Sequence, residues 1–163
     1  PEFIRDTVGA TLVAGAGVGI GVNDAANTIT ISATGSATIP FIYAPSLFYP
    51  GIMTAAGVIL LRHAFVTEAQ LPANCAGSQG GASALASLSA VYKLQRAAAA
   101  TPTVFSDVGT ITYNTGSLTP TFATAGAAVV TFAAGDILQV VSPDSPDATL
   151  ANINLTFLLN RIS

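Results

Sequence analysis

Charge is scarce in this sequence. Lys, Arg, Asp and Glu make up 8% of 163 residues, against about 25% in an ordinary soluble domain. The net charge of −3 comes with no Lys/Arg cluster, so the electrostatic footprint of a nucleic-acid binder is missing. Disorder requires low hydrophobicity with high net charge, and a chain that is 51% apolar has neither. Cys75 is the lone cysteine, which excludes an intramolecular disulfide framework and a Cys-based zinc cluster. Long apolar runs are also missing. Gly57 to Leu61 is stopped by Arg62 and His63, and Ser83 to Ala90 is cut by Ser and then by Lys93 and Arg96. No stretch reaches the roughly 18 residues of a membrane-spanning helix, so membrane insertion is not expected. The start lacks a basic region leading into an apolar run, and no signal peptide is expected.

Ala, Thr, Gly, Ser, Val and Ile fill the space left by charge. The length suits one domain, or one domain with a short appendage, and is enough to bury a core. A monomer usually keeps itself dissolved with surface charge. A chain with so little is expected to bury apolar surface between copies of itself, behind a Thr/Ser/Asn exterior.

Pro1-Glu2-Phe3 reads as a cloning remnant (residues 1–3), since Glu-Phe is what a common restriction site encodes. Residues 4–32 form the first unit. Val18, Ile20 and Val22 alternate with glycine, 23–27 is rich in turn formers, and Thr28 to Ser32 alternates again. Strand, turn, strand is a β-hairpin. A lone hairpin is marginal in water, so this one is expected to be stable only against other copies. Residues 33–53 carry Pro40, Pro45 and Pro50 with Phe41, Tyr43, Phe48 and Tyr49. They read as an arm or linker whose aromatics need something to pack on. Residues 54–163 hold about eight short strands separated by turn signals, the pattern of an antiparallel β-sandwich. Within 83–100, Leu85, Leu88 and Val91 have helical spacing. The alternation of Val91, Lys93 and Gln95 with Tyr92, Leu94 and Arg96 favours a strand, followed by a surface loop over 97–102.

The stretch IRDTVGATLVAGAGVGIGVNDAANTITI, Ile4 to Ile31, resembles a motif of tail-fibre and receptor-binding proteins of tailed bacteriophages, where it precedes a C-terminal domain. Leu71-Pro72-Ala73, Gly77-Ser78, Tyr92 to Arg96, Val108 to Thr112, Phe132 to Asp136 and Asp147 to Ala151 resemble the C-terminal β-domains of such fibres. The resemblance implies an all-β homotrimer: an interwound β-hairpin shaft below a head of three jelly-roll-like sandwiches. Its partners would be itself, other virion proteins and a glycan or protein receptor on the bacterial surface, and its place the virion surface. Val18, Ile20, Val22, Ile29 and Ile31 would then bury on a three-fold axis, and Arg161 would close the last strand onto a neighbour. A structural virion part without a receptor, such as a capsid decoration or tail adaptor, is the alternative. A glycan-depolymerising tailspike usually needs a long β-helix, which this length cannot supply.

Chemistry-bearing residues are few. His63 has no second histidine with which to share a metal. Cys75 has only His63 as a conceivable base. Asp107, Asp136, Asp144 and Asp147 could pair as in a glycosidase, and Asp144 with Asp147 could hold calcium, but each sits beside Gly, Pro or Ser as turn residues do. Gly15 to Gly19 lacks the Lys-Ser/Thr of a phosphate loop. No enzyme activity, metal or cofactor is expected. Arg62, Lys93 and Arg96, like Arg161, are expected to be paired or at subunit contacts. For a glycan receptor, aromatic faces beside amides are needed, and Tyr92, Gln95, Tyr113 and Asn114 are the candidates. The loops 74–83, 97–103 and 142–147 are the natural places for recognition.

Overall fold

The computed structural model describes residues 18–23, 26, 28–33 and 42–162. The readings of 1–17 and of the first part of the arm, through Phe41, lie outside these. The described residues form strands joined by turns, all paired antiparallel, with no α-helix. The chain divides into two units, 1–39 and 40–163.

In the first unit β1 (Val18–Asn23) pairs with β2 (Thr28–Ala33). The register sets Ile20 against Ile31, and Val22 against Ile29, while Gly19 and Gly21 meet Ser32 and Thr30. The period of two therefore sorts β-branched apolar positions onto one face and Gly, Ser and Thr onto the other. Asn23 Oδ1 accepts the Ala26 N–H at 3.0 Å and shapes the turn. Ile31 remains 67% exposed.

The second unit contains β3 (Ile42–Tyr43), β4 (Ser46–Ile52), β5 (Ile59–Ala64), β6 (Ala69–Leu71), β7 (Gln79–Gly81), β8 (Ala90–Ala97), β9 (Phe105–Tyr113), β10 (Thr121–Thr124), β11 (Val130–Phe132), β12 (Ile137–Val141), β13 (Ala151–Thr156) and β14 (Leu159–Arg161). They build three sheets, ordered β10-β9-β8-β12-β5, β11-β6-β14-β3 and β4-β13-β7. The pairing is nested. β4 pairs with β13, β5 with β12, β6 with β11, and β8 with β9, like one long hairpin rolled on itself. Leu47 and Leu155, Leu71 and Phe132, and Tyr92, Ile111 and Leu138 bring side chains from all three sheets into one buried cluster. Gly109 of β9 is required by this packing: a Cβ there would stand 2.4 Å from the Ala123 carbonyl oxygen of β10.

Two sequence readings change. The arm does not extend to residue 53, because 42–52 are strands of the head. Leu47 and Met53 are buried, and β4 is an edge strand, where Pro50 needs no ladder partner for its missing N–H. Ala97 belongs to β8 and is buried rather than opening a surface loop. The strand reading of the ambiguous segment agrees with β8, in which Tyr92 and Leu94 point inward while Lys93 and Gln95 face out; 83–89 is irregular.

Candidate recognition surface

The strand directions give the head two ends. At one, loops 65–68, 98–104 and 133–136 gather beside Ile42, where the chain enters β3. Asp136 holds them together. It accepts Nε and Nη2 of Arg96 at 2.9 and 2.6 Å, and the N–H groups of Ala133 and Ala99 at 2.9 Å each. The Gly135–Asp136 main chain is cross-linked to Phe65 in both directions, Phe65 N–H donating to Asp136 O and Gly135 N–H to Phe65 O. Burial alone would raise the Asp136 carboxyl, but the Ala99 and Ala133 amides and the Arg96 guanidinium more than reverse this and hold it below its ordinary value.

The opposite end carries loops 53–58, 82–89, 114–120 and 142–150, tied to one another by backbone bonds from Gly116 to Ala86, Ala82 to Leu118 and Ser142 to Val58. Ser142 Oγ adds bonds to Val58 N–H and Ala55 O. Asp147 is the clamp. Oδ2 accepts the Ser87 hydroxyl and Leu88 N–H, each at 2.7 Å. Oδ1 accepts Thr149 N–H and its hydroxyl at 2.9 Å, and Leu150 N–H at 2.6 Å. Burial opposes ionisation here too, yet the Ser87 hydroxyl and three backbone amides hold the carboxyl far below the usual range. Above this base Leu88 is 71% exposed, with Leu85 and Leu118 also open to solvent.

Of the four residues chosen from the sequence for receptor contact, two are core residues. Tyr92 and Tyr113 are 2% and 0% exposed and meet edge to face, ring centroids 5.9 Å apart. Tyr113 donates its hydroxyl to the Gly81 carbonyl at 3.0 Å. Burial, then the nearby Asp147 and Tyr49, pushes Tyr92 up to about 12, and burial with Tyr92 also raises Tyr113. Both rings lie in strand phase with Leu94 and Ile111, so they form the floor under the loops and have no face to offer a ligand. Gln95 lies on the outward face of the five-stranded sheet in a polar ladder. Arg62 donates to Gln139 (2.6 Å), Gln139 to Gln95 (3.0 Å) and Gln95 to Asp107 (2.8 Å). Its amide is committed. Asn114 alone stands exposed at the loop-bearing end, in a turn closed by Ser117 N–H to Asn114 O. The structure thus separates the four rather than gathering them. Leu85 and Leu88, exposed at this end, are not among the expected contacts: their spacing of three weighs only a helix face against a strand, not a loop.

Ile20 and Ile29 are half-buried and Ile31 exposed along the apolar row of the hairpin; Val18 and Val22 occupy the same row by register. Arg161 is exposed at the end of β14, opposite Ala69. Lys93 pairs with Asp144 at 2.8 Å in solvent. Arg62 also stacks over Phe105, 5.0 Å from its centroid. His63 packs edge-on between Tyr43 and Phe65, and burial lowers its pKa. Burial pushes the Cys75 thiol up to about 12, which leaves it un-ionised. Among the described residues no three His, Cys, Asp or Glu side chains converge as metal ligands would.

No family model, curated protein or solved structure matches this chain.

Proposed function

We propose that this chain is the distal part of a trimeric fibre or receptor-binding protein of a tailed bacteriophage, located on the virion surface and attaching it to a glycan or protein of the bacterial host. The resemblance of residues 4–31 to the fibre motif supplies the class. The nested strand order supports reading the head as a jelly-roll-like sandwich, and the apolar row of the β1–β2 hairpin supports burial against other copies. The observation that carries the reading is the loop-bearing end. Its base is clamped by Asp147, and its exposed tips Leu85, Leu88 and Leu118 have nothing to cover within the head. A rigid sandwich presenting fixed loops is the usual way to build a recognition surface. In this reading Asn114 is at the contact, and no cofactor or nucleic acid takes part.

Light scattering together with a host-cell pull-down tests this. A mass near three times 16.3 kDa and saturable cell binding that is lost in Leu88→Asp are expected. A monomer would overturn the trimer. Saturable occupancy of capsid or tail without cell binding would favour a purely structural virion role.

A further inference from the structure

The outward face of the three-stranded sheet differs from the rest of the head. Its central strand β13 points Ile153 and Leu155 inward and Asn154 and Thr156 outward. The register places Phe48 and Gly81 on either side of Asn154, and Ser46 and Gln79 on either side of Thr156. Gly77, Gln79, Gly80, Asn154, Thr156 and Leu158 line a hollow of about 370 Å³ there. On the five-stranded sheet, Arg62, Gln139, Gln95 and Asp107 satisfy one another in a continuous ladder. Gln79, Asn154 and Thr156, by contrast, make no side-chain hydrogen bond to any described residue. Phe48, beside them, is 64% exposed.

The glycines explain the hollow differently. Gly80 faces inward, and a Cβ there would stand 2.5 Å from Leu155 Cδ2, 2.9 Å from the Pro120 ring and 3.0 Å from the Asn154 carbonyl oxygen, so packing demands it. Gly81 faces outward with an ordinary φ, and a Cβ would find only the Asn154 amide atoms, at 3.6 and 3.7 Å, and the Leu118 carbonyl at 3.9 Å. Neither backbone nor core requires glycine at 81, although glycine inside a strand weakens it. What the missing side chain does is leave the Asn154 amide uncovered.

We propose that this hollow is a binding site for an uncharged pyranose sugar. Amides and a hydroxyl each donate and accept, as sugar hydroxyls do. No charged side chain lines the hollow, so an ionic ligand would be desolvated there without a countercharge. Phe48 is not a lining residue, but its uncovered ring, next to Asn154 across the β4–β13 pair, offers an apolar platform to the C–H face of a sugar that reaches over Asn154. The volume falls in the range of small-molecule pockets. The proposal does not depend on the attachment reading, nor on the loops at the end of the head.

The test uses the full chain, labelled with ¹⁵N, titrated at millimolar concentration with the methyl glycosides of glucose, galactose, mannose and N-acetylglucosamine. At least one is expected to shift the side-chain NH₂ signals of Asn154 and Gln79 saturably. Phe48→Ala, at an exposed position, should weaken that binding about tenfold. Gly81→Val should abolish it while leaving mass and melting temperature unchanged. The proposal fails if no sugar moves the two amides, or if the shifts persist undiminished in both variants. It also fails if Phe48→Ala changes the oligomeric state by light scattering, since the face would then be a contact between copies. Cell binding that survives both variants while sugar shifts are lost leaves the attachment reading standing. Sugar shifts without any cell binding would sink attachment and keep the site.

Discussion

Each end of the head is closed by one buried aspartate, and the two are held in different company. Asp136 faces a guanidinium, Arg96, that is partly in solvent and lies 5.8 Å from the Phe132 ring centre. Asp147 has no cation among its bonded partners: two hydroxyls and three backbone amides surround it. The same result, a carboxylate ionised in the interior, is reached once by countercharge plus amides and once by amides and hydroxyls alone. A chain this poor in Lys and Arg can still fix its loops electrostatically, because the main chain supplies the positive dipoles.

The contrast is open to experiment. Asp147→Ala should cost the most, about 3–5 kcal/mol, because the amides of Leu88, Thr149 and Leu150 lose their acceptor together. Chemical denaturation measures it, and a cost below that of the Asp136 variant would break the comparison. Asp136→Ala should cost about 2–3 kcal/mol, since only the Ala99 and Ala133 amides are orphaned while Arg96 can return to water. Acid should expose the next difference. Both carboxyls are depressed on folding, so their stabilisation is complete above an unfolded value of about 3.9 and disappears as pH falls below it. Asp147 is the more strongly depressed, so the Asp147→Asn protein should lose more of its acid sensitivity between pH 4 and 2 than Asp136→Asn, as read from denaturation midpoints. The smallest effect belongs to the exposed Lys93–Asp144 pair: Asp144→Ala should leave the midpoint unmoved, because solvent screens such pairs.

Patterning that repeats locally could be read in advance. The Val/Ile alternation and the Asn23 turn place Ile20 opposite Ile31, and the β-rich run ending at Tyr113 is β9. Asp136 and Asp147 look like turn residues and are turn residues. Their burial could not be foreseen, because partners such as Ser87 and Arg96 lie 60 and 40 positions away. Tyr92 and Tyr113 misled because a phenol suits a surface or a core equally. Strand phase decides, since Tyr92 alternates with Leu94, and Tyr113 with Ile111. Prolines suggested an arm or linker through residue 53, yet an edge strand tolerates them. The sugar hollow was hidden for a different reason: Gln79-Gly80-Gly81 reads as loop, and only pairing with β13 sets Gln79 beside Thr156.

The nested pairing also fixes an order of events during synthesis. β3 and β4 leave the ribosome before the other strands of the head, and their partners β14 and β13 leave last. The Gly51 amide is separated from the Asn152 side chain that caps it by 101 residues. At a translation speed of about 5–20 residues per second, that interval is on the order of 5–20 s. Through it Leu47 and Tyr43 lack the β13 and β14 partners they pair with, so this part of the head closes only after the last strands are made.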